Sequence, residues 1–123
     1  MATLLYFAAF LAVALGAAHS VLGERYILVR LFRRDDLPKL FGSSDFTVQT
    51  LRFAWHITTA AWVGFGALLL HAGRGDLTTS GTLHIIGATC VVSGFLPLIV
   101  TRGKHLSWLI LFAIGGIAFW CAA

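Results

Sequence analysis

An all-helical membrane protein is the fold class this sequence predicts, and three observations lead there. Four apolar runs, roughly Ala2–His19, Val48–Leu70, Leu83–Thr101 and Leu106–Ala123, fill most of the 123 residues. Each run approaches the ~20 residues a helix needs to cross a bilayer. The composition is 59% hydrophobic and 11% charged, against about 25% charged in ordinary globular domains. The runs are near-continuous rather than alternating, and both helices and barrels satisfy backbone groups without water, but only barrel strands alternate. The expected architecture is a single four-transmembrane-helix bundle over 1–123, with helices near 2–34, 46–72, 81–101 and 105–123.

Basic residues predict the orientation. Of the nine Lys and Arg, Arg25, Arg30, Arg33, Arg34 and Lys39 lie between the first and second runs. Arg52 lies just inside the second run, and Arg102 and Lys104 lie between the third and fourth. Only Arg74 falls in the second connection. The positive-inside rule puts the first and third connections in the cytoplasm and both termini outside, in the periplasm of a bacterial inner membrane. The same clustering accounts for the net charge of +4. It predicts a partner in anionic headgroups of the lipid bilayer, not in nucleic acid.

Taken in order, the first run ends in Gly16-Ala17-Ala18, a pattern a signal peptidase accepts, yet it lacks a basic n-region. Its charge follows from Arg25 onward, so the run is expected to stay as an anchor. The segment Glu24–Arg34 alternates aliphatic and aromatic blocks with Arg and suits the bilayer interface. Pro38 disfavours a helical Leu37 and so interrupts the chain there. Asp45 is the expected N-cap of the second helix. The two remaining connections are short, so helices two and three, and then three and four, form antiparallel hairpins. Gly64, Gly66, Gly87, Gly94, Gly115 and Gly116 mark expected faces of close helix approach. Pro97 is expected to kink the third helix. Cys90 and Cys121 have no paired spacing of the zinc or thioredoxin kind and read as packing residues.

The histidines carry the chemistry. His19, His56, His71, His84 and His105 all lie within or at the ends of membrane runs, and an imidazole at such depth needs a partner. At a run end an interfacial histidine is ordinary, and the four there are read both that way and as ligand candidates; His56 lies deep, with Arg52, Gln49 and Thr59 on its helical stripe. Three uses of this layout are expected alternatives. Heme ligation would pair His71 with His84 at the outer level, and His56 with His19 or His105 at the inner one. A transition-metal site would draw on His19, Glu24, His56 and His105, though the five-residue step from His19 to Glu24 needs a helix break at Gly23 to align them. Proton or ion transfer would use His56 as a midway relay. His56 and His71 are separated by about 22 Å along one helix axis. In spacing alone, this resembles the two-level histidines of membrane b-type cytochromes, which implies heme.

No phosphate loop, nucleophile elbow or helical His-Glu protease pattern is present, so an enzyme is the least expected outcome. The leading expectation is a histidine-ligated heme or transition-metal protein in membrane redox chemistry. The alternatives are a non-catalytic accessory or assembly subunit of a larger membrane complex and a small oligomeric transporter or channel. A homo-oligomer or a larger complex is expected in each case.

Overall fold

The computed structural model describes all residues, 1–123, and is all-helical. Helix α1 runs Ala2–Leu31 and carries a π-helical turn over Gly23–Leu28. It stops short of the expected Arg34 because its last turn tightens. Arg33 N–H donates to Arg30 O at 3.3 Å and Arg34 N–H to Leu31 O at 3.2 Å, a common way to satisfy terminal carbonyls.

Helix α2 spans Asp45–Arg74. Ser44, not Asp45, is the residue at its N-cap, and no side chain caps it. Asp45 instead occupies the first turn, where a carboxylate favours the positive end of the helix dipole. The helix ends beyond the expected residue 72, on Gly75 at φ 74°, a left-handed cap that costs glycine nothing. Helix α3, Thr79–Val100, opens on a cap in which Thr78 Oγ1 accepts from Gly81 N–H at 3.0 Å. Pro97 sits inside α3 and is fully buried. Helix α4 is Ser107–Ala122.

Helices α1, α2 and α3 are long and apolar enough to cross a membrane. Helix α4 is apolar but has 16 residues, about 24 Å at 1.5 Å per residue, somewhat less than a ~30 Å hydrocarbon core. The helices pack in chain order: α1 on α2, α2 on α3, α3 on α4. No close packing joins α1 to α3 or to α4. The result is an open serial array, not a closed ring, and a lateral cleft remains between α1 and α3 with α2 as its floor.

Small residues make the seams. A Cβ on Gly64 would overlap the Thr89 side chain, and one on Gly115 would overlap Val91. Gly66, Gly87 and Gly94 are similarly crowded, whereas Gly116 faces open space. Few side chains are fully enclosed, and large apolar residues such as Phe7, Phe10, Ile99, Ile110 and Trp120 point outward. An aqueous protein would not leave such a surface; hydrocarbon solvent removes the penalty.

Candidate functional site

Two four-residue steps on facing antiparallel helices build the site. Ser20 and Glu24 share one face of α1, Arg52 and His56 share one face of α2, and residues four apart on a helix are neighbours. Glu24 Oε1 meets Arg52 Nη2 at 2.9 Å, and Glu24 Oε2 lies 3.2 Å from His56 Nε2. Ser20 Oγ lies 2.7 Å from His56 Nδ1 and 2.6 Å from Thr59 Oγ1. Thr59 Oγ1 donates to Gly16 O at 3.0 Å. Arg52 also lies over the Phe32 ring, 5.0 Å from its centroid, a cation–π contact that holds the guanidinium in place.

Local sequence explains why the helices approach here. Gly23 opens the π-helical turn, and a Cβ at that position would fall inside the Trp55 indole. The indole fills this notch and donates from Nε1 to His19 O at 3.0 Å. Its ring stacks on His19, with centroids 4.3 Å apart and planes within 7°. Single π-helical turns inside α-helices occur often at functional sites.

The chain Glu24–His56–Ser20–Thr59–Gly16 O is complete in two protonation states. A neutral His56 ring carrying its proton on Nε2 donates to Glu24 and accepts from Ser20 at Nδ1. Thr59 then shares its proton between Ser20 Oγ and Gly16 O. An imidazolium donates at both nitrogens, and Ser20 and Thr59 rotate their hydroxyls to pass the bond on to Gly16 O. No heavy atom has to move between these states.

The other histidines are dispersed. His19 leaves its buried Nε2 without a hydrogen-bond partner. His105 Nδ1 lies 2.9 Å from Ser107 Oγ, and its ring packs on Phe46 and Phe53. His71 Nδ1 lies 2.9 Å from Asp76 Oδ1 in the α2–α3 connection. His84 Nδ1 faces Ser80 O on its own helix, with the ring beside Phe119 of α4. No group of three or more His, Cys, Asp or Glu able to hold a metal ion forms anywhere in the chain. The expected quartet His19, Glu24, His56 and His105 is therefore split. Glu24 and His56 meet each other, while His19 and His105 occupy separate aromatic environments. Both nitrogens of His56 are already committed to Ser20 and Glu24.

Ser20 by itself carries no mark in the sequence beside the neighbouring His19, and only the facing helix makes it a link. The matched four-residue steps Ser20/Glu24 and Arg52/His56 were the signal available for it. Thr59 joins the network as the stripe suggested, but Gln49 does not; it lines a second cleft at the basic end of the helices.

The node opens on a cleft of about 580 Å³. Ser20, His56 and Thr59 supply its polar end, and Val63, Ile85, Val92 and Leu96 are among the residues of its apolar wall. Small-molecule sites commonly enclose about 300–1,000 Å³, mostly apolar, with a few convergent polar groups. Outside the apolar helices, Arg34 and Asp36 form an exposed fork with contacts of 2.8 and 2.6 Å. The hydrogen bond from Arg34 holds the Asp36 carboxyl below its ordinary range, and Asp36 in turn raises the guanidinium. Comparison with known proteins finds no family model, curated protein or solved structure that matches the chain.

Proposed function

We propose that this chain is a membrane protein that takes a lipid-soluble molecule with an oxygen-bearing head from the bilayer and exchanges a proton with that head. The molecule's apolar body lies along the α2–α3 wall, and its head meets Ser20, His56 and Thr59. Glu24 orients the His56 ring and balances its charge, and Arg52 holds Glu24. The observation that carries this reading is the junction of a reversible hydrogen-bond chain with the polar end of an otherwise apolar cleft. A quinone is the simplest probe of this class.

The reading departs from iron ligation because both ring nitrogens of His56 are engaged by protein groups. It keeps the expected relay role of His56. The cleft volume and its polar end favour a small molecule over a partner helix, which would need a long uniform groove.

The test is titration of the full-length protein in phosphatidylcholine nanodiscs with decylubiquinone, read as a shift of unfolding temperature and as tryptophan fluorescence quenching. Saturable binding that is lost in His56→Leu and in the cleft-filling Ala60→Phe supports the reading. Equal responses to decylubiquinone and to decane would reduce the cleft to a plain apolar groove. Absence of any response in a folded wild type would overturn the proposal.

A further inference from the structure

The basic end of the helices carries a second cleft, independent of the His56 node. It measures about 630 Å³ and lies between the α1–α2 connection and the α3–α4 turn. From one side it is lined by Leu40 and Phe41, and from the other by Arg102 and Lys104, with Ser43 and Gln49 between them.

The two loops share an uncommon backbone. Phe41 has φ 55° and is followed by Gly42 at φ 88°; Arg102 has φ 51° and is followed by Gly103 at φ 78°. These are the only non-glycine residues with positive φ in the chain. A left-handed conformation is costly for a residue with a Cβ, and such strain gathers at binding sites, where a particular side chain is needed. Both strained residues line the same cleft.

Tight bonding holds each loop. Leu40 N–H donates to Ser43 O at 2.9 Å and Ser43 N–H to Leu40 O at 3.3 Å. Across the cleft, Thr101 is almost fully buried, donates to Pro97 O at 2.6 Å and accepts from His105 N–H at 3.0 Å. Gly103 N–H donates to Leu98 O at 2.8 Å. Arg102 and Lys104 are therefore presented on a rigid turn. Neither forms an ion pair, and Asp45, the only acidic residue of the lining, pairs with no cation. Phe41 is 91% exposed at the opposite rim, with its ring edge-on to Phe46 at 5.5 Å.

We infer that this cleft binds the headgroup of an anionic phospholipid, with Arg102 and Lys104 on the phosphate and Phe41 and Leu40 against the upper acyl chains. A fork of guanidinium donors suits phosphate geometry, and ammonium adds a point charge. The apolar rim selects a lipid over a free phosphate, which has no use for an exposed phenylalanine.

The test uses full-length protein in dodecyl maltoside, with unfolding temperature followed during titration by short-chain phosphatidylglycerol, short-chain phosphatidylcholine and inorganic phosphate. Phosphatidylglycerol should stabilise the wild type selectively. The Arg102→Gly/Lys104→Gln variant should need about tenfold more lipid, or more, for the same shift. Its unliganded form should be no less stable than the wild type, because glycine relieves the φ of 51° at that position. A lost response therefore does not reflect misfolding. Arg30→Gln/Arg33→Gln, which removes two charges outside the cleft lining, should respond as the wild type does. Phe41→Ser should weaken the lipid response. Three results would overturn the proposal: equal shifts with phosphatidylcholine, equal losses in the two double variants, or inorganic phosphate matching the lipid with Phe41→Ser without effect.

Discussion

Replacing Ser20 with alanine probes the node with the least disturbance to packing. The hydroxyl lies 2.7 Å from His56 Nδ1 and 2.6 Å from Thr59 Oγ1, so the substitution removes two hydrogen bonds. Side-chain hydrogen bonds between membrane helices average about 0.6 kcal/mol and reach about 1.7. Two of them give roughly 1.2 kcal/mol. His56 Nδ1 then loses its partner while only part-exposed, which adds to the loss. Alanine recovers a few tenths of a kcal/mol through its higher helix propensity, about 0.5 at most. The expected net destabilisation is about 1–2 kcal/mol. Reversible unfolding in mixed micelles measures it, with Ser44→Ala as the control, because Ser44 makes no side-chain cap bond. A double-mutant cycle of Ser20→Ala with Thr59→Val should return a coupling of about 0.5–1 kcal/mol. If Ser20→Ala is neutral or stabilising, or if the coupling is zero, the hydroxyl does not bridge His56 and Thr59, and the relay has no basis.

Three further outcomes follow from the same geometry. Gly23→Ala should cost about 1–3 kcal/mol, since its Cβ competes with the Trp55 indole; a neutral result in thermal unfolding would show that the π-helical notch adapts. His19→Phe should be neutral or stabilising by the same assay, because it keeps a ring on Trp55 and removes a buried nitrogen with no partner; a large loss would reveal a hidden partner for Nε2. Arg34→Gln should move the Asp36 carboxyl up to its ordinary range, followed by carboxyl NMR across acid pH. Because Asp36 is lowered in the folded chain, the contribution of its pair to stability is present above the unfolded-state value. It is lost as pH falls through the lowered one. An unchanged Asp36 titration in Arg34→Gln would contradict the fork.

The open packing of the helices is what leaves the node exposed to the cleft. Closing α1 onto α3 would bury Ser20, His56 and Thr59 and remove access from the bilayer. The serial array leaves them at the rim of a lateral opening, while the α1–α2 seam stays tight through Gly23, Trp55 and Gly66.

Much of the architecture was legible along the chain. Hydropathy and length reveal the helices because a bilayer imposes a fixed apolar span on every crossing segment. The boundaries were less visible, since a tightened last turn at Arg33 and a left-handed cap at Gly75 depend on backbone geometry. His56 stood out because an imidazole deep in an apolar run needs a partner, and Arg52 stood out because it lies four residues away on the same helix. Ser20 did not stand out: serine is common in membrane helices, and only the position of a facing helix turns its hydroxyl into a link.

Composition and hydropathy by themselves determined an all-helical chain suited to a membrane, its basic connections and His56 as a deep imidazole in need of a partner. Tertiary structure decided which of the five histidines meet a carboxylate, that no metal-holding group forms, and that Phe41 and Arg102 face one cleft. The division has a physical cause. Solvent preference acts on each residue separately and is written locally, whereas a site depends on rotation and register between helices. Those are set by how small residues such as Gly23, Gly64 and Gly115 seat against neighbours far away in sequence.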